Sequence, residues 1–159
     1  MEKVEINKQA RLSEHFTLAE MCKTSAKTAD GNIPSHVHIE NLKRLCGWLE
    51  MLRSEWNKRY GEGDDPIVIN SGYRSEAVNK AVGGVKGSNH LTGCAADIRV
   101  AGMEQALRYA VILLDISDES QEDFDELLLE RSPRGNYWLH FAVRLPSQEN
   151  RRKIRFIQT

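Results

Sequence analysis

Residues 124–145 read Phe124-Asp125-Glu126-Leu127-Leu128-Leu129-Glu130, then a turn through Ser132-Pro133-Arg134-Gly135, then Tyr137-Trp138-Leu139-His140-Phe141-Ala142-Val143-Arg144-Leu145. Two apolar runs flank a proline and a glycine, a pattern that predicts a β-hairpin. Upstream, Ile67-Val68-Ile69-Asn70 and Ala95-Ala96-Asp97-Ile98-Arg99-Val100 read as further short strands, the first after the turn-like Gly61–Pro66 and the second after Gly93. Helical spacing appears between them. Ile39, Leu42, Leu45, Cys46, Leu49, Leu52 and Trp56 recur every three or four residues behind a capping Ser35, and Met103, Ala106, Leu107, Ala110 and Leu114 do the same. Shorter helices are expected from the capping pattern Thr17–Glu20 and over Ser75–Val82, closed by Gly83-Gly84. Strands mixed with helices and ending in a hairpin predict an α+β fold, not a doubly wound parallel sheet.

The 159 residues suffice for one domain with a real core and are too few for two of ordinary size. Residues 1–15 read as a polar arm, 16–146 as the domain and 147–159 as a basic tail, solvated first and an anionic-surface contact second. With 40% hydrophobic residues, 28% charged and a net charge of −1, the composition is that of a soluble globular protein. A near-zero balance argues against a protein built to neutralise nucleic-acid phosphates, and no nucleic-acid partner is expected. No run is long enough to span a membrane. The expected working unit is a monomer. Nothing near Met1 resembles a signal peptide, so the chain is expected either to stay in the cytoplasm until lytic release, or to act outside the membrane after losing a leader. Cys22, Cys46 and Cys94 are odd in number and lack CxxC spacing; they read as small buried residues.

Three residues carry the candidate chemistry. His90 and Asp97 stand seven apart with the small residues Gly93, Ala95 and Ala96 between them, so a loop histidine and a strand aspartate can converge. His140 sits inside an apolar strand, where a polar group needs a partner. Two histidines and one aspartate form the N and O donor set of a catalytic zinc site that keeps a fourth position open. Each of the three, taken singly, is also what a satisfied core residue looks like. His15, His36 and His38 read as surface residues.

Ser71-Gly72-Tyr73-Arg74-Ser75, Asn79, Gly83-Gly84, Ser88-x-His90-x-x-Gly93-x-Ala95-x-Asp97 and Trp138-x-His140, in that order, resemble the M15 family of zinc peptidases. That family includes D-Ala-D-Ala carboxypeptidases and phage L-alanyl-D-glutamate endopeptidases; Phe16–Met21 and Asn41-Leu42-x-x-Leu45 are similar to its smaller phage and prophage members. The resemblance implies one mixed or antiparallel sheet packed on helices, as in the Hedgehog signalling domain. It implies zinc on His90, Asp97 and His140, and the peptidoglycan stem peptide as substrate, cut by a carboxypeptidase or endopeptidase. It also implies a carboxylate as general base.

The better-known members place that acid three positions before the second zinc histidine, where this chain has Tyr137. Smaller members carry an Asp-x-Leu-Ile-x-Glu run, which makes Glu130 the expected counterpart, with Glu126 and Asp125 behind it. Hairpin register decides which of them faces the metal. Arg74 is expected to hold a substrate carboxylate or the oxyanion, or else to pair with a nearby acid. Ser88 is expected to bind substrate or fix its loop, and Trp138 to line the cleft or pack beneath the metal. A different class of reading remains, a zinc-bearing binding module without turnover.

Overall fold

A computed structural model of the chain describes residues 7–159. The hairpin forms as expected, with β3 at Glu126–Arg131 and β4 at Tyr137–Ala142, antiparallel. Ile69–Ser71 is β1 and Ala95–Arg99 is β2, which pairs antiparallel with both β1 and β4. A fifth strand, β5 at Lys153–Gln158, runs parallel to β3. The sheet is therefore mixed, in the order β1-β2-β4-β3-β5, and the α+β expectation holds.

Register assigns the two faces. Ala96 pairs with Phe141, which pairs with Leu127; Ile98 pairs with Leu139, which pairs with Leu129. These residues point to one side, and their period-two neighbours Asp97, His140, Leu128, Glu126, Glu130 and Trp138 point to the other. The apolar side is covered by α2 (His36–Arg59) and α4 (Met103–Ser120). Leu42, Leu45, Leu49 and Leu52 of α2 are fully buried with Ile112 and Leu113 of α4, each worth roughly 1.5–3 kcal/mol relative to exposure. Helix α2 begins with a reciprocal cap: Ser35 Oγ accepts from the His38 amide, and the Ser35 amide donates to His38 Nδ1 at 3.1 Å. That cap gives His38 a role at the helix start. Two short helices complete the set, α1 at Leu18–Met21 capped by Thr17 and α3 at Glu76–Ala81 capped by Ser75.

Three outcomes differ from the sequence expectations. Helix α4 continues past Leu114 to Ser120, because Ile116 extends its buried stripe. The stretch 147–159, read as a basic tail, supplies β5. Lys153-Ile154-Arg155-Phe156-Ile157-Gln158 alternates polar and apolar over its first four positions, a strand period that the cluster of cations at 151–155 masks. The arm also docks in part. Arg11 bridges Thr17, the Leu18 amide donates to the Ala10 carbonyl and Leu12 joins the core; residues 1–6 of that arm lie outside the described residues. Cys46 and Cys94 are buried and Cys22 half-buried, all three as free thiols, and burial pushes the Cys22 and Cys46 thiols up to about 12. Among the described residues no helix is long and apolar enough to cross a membrane.

Candidate metal centre

The polar face of the sheet is the floor of a cleft of about 520 Å³, walled by residues 82–90 and by Arg74. His90 reaches it from a single 3-10 turn, Asn89–Thr92, which Ser88 starts by accepting the His90 amide on its Oγ at 3.2 Å. The turn ends at Gly93, whose φ of +77° favours glycine and whose Cα lies so near the His38 carbonyl that a Cβ would stand 2.7 Å from that oxygen. Asp97 and His140 come from adjacent, directly paired positions of β2 and β4. A bulge between β1 and β2 sets Ser71 opposite Asp97.

One donor atom from each of His90, Asp97 and His140 lies within 4.8 Å of the other two, and all three residues are buried. Asp97 Oδ1 stands 3.3 Å from His90 Nε2 and 3.0 Å from His140 Nδ1. Bonds of about 2.0–2.1 Å to a tetrahedral ion require donor separations of roughly 3.3–3.4 Å. The cluster is close to that size, and its N and O donors suit the metal.

The other nitrogen of each ring is held. His90 Nδ1 is 2.7 Å from the Gly72 carbonyl oxygen, which can only accept, so that nitrogen carries the proton and Nε2 offers its lone pair to the cluster. His140 Nε2 is 3.1 Å from Glu126 Oε1, which leaves Nδ1 as the donor atom. Glu126 Oε1 also accepts from Asn89 Nδ2 at 2.7 Å. Burial acts to raise the Asp97 pKa, but His90 and His140 outweigh it and hold the carboxyl well below the usual range. Burial acts to lower the His140 pKa, and hydrogen bonds to Asp97 and Glu126 outweigh it and raise that imidazole to about 9.

Of the three candidate bases, register places two in the cleft. Glu130 pairs with Trp138 and lies on the floor; burial first, then the charge of Asp97, pushes its carboxyl up. Glu126 shares that floor but is committed to His140 and Asn89. Asp125 is fully buried and enclosed by cations, with Arg151 Nη2 at 2.7 Å and Arg144 Nε at 3.2 Å. Both of its oxygens are committed, and it does not line the cleft. Arg74 donates from Nη2 to Asp97 Oδ2 at 3.1 Å and from Nε to Ser71 Oγ at 3.0 Å, so the ion-pair reading of this residue is realised at the cleft edge. Ser88 and Trp138 both line the cleft.

A sequence profile described as Peptidase M15 matches residues 14–118. The chain belongs to the peptidase M15 family. This M15 chain is 31% identical over 84 residues to the zinc D-Ala-D-Ala carboxypeptidase of Streptomyces albus G. The match covers 53% of the chain but only 31% of that relative, so the chain spans about a third of its length. The profile ends before β3, so Glu126, Glu130, Trp138 and His140 of this M15 chain lie beyond the residues it matches.

Asn89 was not anticipated as part of the site. Only the folded chain brings β3 against it, where its side-chain amide donates to Asp125 and Glu126. Glu126 entered as a possible base, whereas the structure makes it the partner of His140. Strand alternation from Glu130 already put Glu126 on the same face, and that signal was present in the sequence.

Proposed function

We propose that the chain is a zinc peptidase that hydrolyses a peptide bond in the peptidoglycan stem peptide, with His90, Asp97 and His140 holding the ion and Glu130 as general base. The observation that carries this reading is the common sheet face. His140 of β4, Asp97 of β2 and Glu130 of β3 project into one cleft, and Glu130 is the acid there without a competing histidine or arginine contact. The bound ion would lower the pKa of a water and polarise the scissile carbonyl.

The chain's residues supply the rest. Glu130, its carboxylate raised toward neutrality by burial, accepts a proton from the attacking water and returns it to the departing amine nitrogen. Arg74, held on Ser71 and Asp97, faces the cleft with guanidinium hydrogens that can meet the oxyanion or a substrate carboxylate. Trp138 gives the floor an aromatic surface and Ser88 a hydroxyl at the rim. This reading takes a monomer as the working unit, with every residue named here drawn from one chain. A zinc-bearing binding module would not need an acid beside the metal, and the position of Glu130 disfavours it.

The test is metal content and stem-peptide digestion on wild type and Glu130→Gln. The reading expects one zinc per chain in both, and cleavage by the variant reduced about 10²–10⁴-fold from the wild type. A zinc-loaded wild type that leaves a panel of stem peptides intact would overturn it in favour of the binding module.

A further inference from the structure

Strand β5 lies outside the residues matched by the family profile, yet it extends the floor of the cleft. Lys153, Ile157 and Thr159 line the same cavity as the metal cluster. Lys153 pairs with Glu126 and Ile157 with Glu130, so both side chains share the face of His140. The strand is fixed at its start. The Arg151 amide and guanidinium both bond Asp125, and the Lys153 amide donates to the Asp125 carbonyl at 2.9 Å. Lys153 is thus a held residue of the floor, not part of a loose tail.

The charges around the cleft are mostly spoken for. Arg74 is paired with Asp97, and Arg151 with Asp125. Among the described residues, Lys153 and Lys86, both lining the cleft, form no ion pair or side-chain hydrogen bond. A lysine on an edge strand discourages further strand pairing whichever face it points to. Lys153 does so from the inner face, where it is half-buried and lines the cavity, and its ammonium group is therefore also presented to a ligand there. Two uncommitted ammonium groups in a peptide-sized cleft suit an anionic group of the ligand.

We propose that Lys153, with Lys86 of the 82–88 wall, forms a subsite for a carboxylate carried by the substrate peptide on the β5 side of the metal. Lys153 is two strands from β4, about 10 Å across the sheet, which an extended peptide spans in about three residues. The anionic group therefore belongs to a residue about two or three positions from the bond that is cut, and the subsite selects peptides with a free acid there over their amidated forms. This rests on the peptidase reading for its substrate class and adds which peptides are preferred.

The experiment uses two synthetic stem pentapeptides that differ only in the second residue, one with the free α-carboxylate of D-glutamate and one with its carboxamide. Both are assayed for hydrolysis and, by calorimetry, for binding to zinc-loaded wild type, Lys153→Ala and Lys153→Arg. The expected result is a preference of about tenfold for the free acid in wild type, mainly in KM. That ratio should fall close to one in Lys153→Ala and return in large part in Lys153→Arg, with melting temperatures alike. Equal treatment of the two peptides by wild type, or a wild-type ratio retained in Lys153→Ala, would overturn the subsite while leaving the peptidase reading intact. If neither peptide is cut but the free acid binds more tightly and loses that advantage in Lys153→Ala, the subsite stands and the peptidase reading falls. If neither peptide binds, the subsite is wrong.

Discussion

Glu126 Oε1 stands 3.1 Å from His140 Nε2, the nitrogen that faces away from the metal cluster. An acceptor there orients the ring and raises the basicity of the donor nitrogen, and losing such a partner typically costs 10–100-fold in metal affinity. Glu126→Leu is therefore expected to weaken zinc binding by that factor, measured by competition with a chromogenic chelator. Glu126→Gln keeps an acceptor oxygen and should lose much less. Equal affinities for wild type and Glu126→Leu would show that His140 is oriented by packing alone.

Gly72 gives His90 the corresponding support through its carbonyl oxygen. The residue sits against α1: a Cβ built on it would collide with the Met21 carbonyl, to which the Tyr73 amide donates at 2.7 Å. Gly72→Ala must push apart two backbone segments, and overpacking of this kind costs about 1–3 kcal/mol. The expected outcome is a lower melting temperature together with weaker zinc affinity, because the acceptor of His90 moves with the backbone. Loss of stability at unchanged affinity would mean that the His90 turn holds itself in place.

How far the sequence foretold this site depends on the distance over which its parts act. His90 and Asp97 are seven residues apart, and the glycine and alanines between them announced that they converge. His140 and Glu130 belong to one hairpin, so period-two alternation limited the choices to one face or the other. Asn89 and Glu126 meet across 37 residues through one amide, and no local pattern records that contact. The same holds for β5. Its alternation is short and lies within a run of cations, and what makes it a strand is the open edge of β3, supplied only once the hairpin has formed.

Arg74 meets Ser71 through Nε and Asp97 through Nη2, two directions that one planar fork supplies and an ammonium cannot. Arg74→Lys keeps the charge beside Asp97 but loses that geometry. Zinc content is expected to persist, and kcat/KM for stem-peptide cleavage to fall by tenfold or more, chiefly through kcat if the guanidinium meets the developing oxyanion. A fall confined to KM would place Arg74 on a ground-state carboxylate instead.

Asp125 makes stability sensitive to acid. Burial acts to raise its pKa, but hydrogen bonds from Arg151, the Arg151 amide and Asn89 outweigh it and hold it at about 2, against an ordinary value near 4. A carboxyl depressed in the folded state contributes stability that is complete above its unfolded pKa and is lost as pH falls through its folded pKa. The loss from this group belongs between about pH 4 and pH 2, with no contribution to pH dependence near neutrality. Arg151→Ala removes the two guanidinium bonds that help to define the folded value and leaves the amide of residue 151 as a donor. It should lower stability at pH 7 by about 1–2 kcal/mol and flatten the decline between pH 4 and pH 2. Urea unfolding of wild type and variant across that range reads both effects. Parallel pH profiles for the two proteins would show that Arg144 and Asn89 hold Asp125 without Arg151.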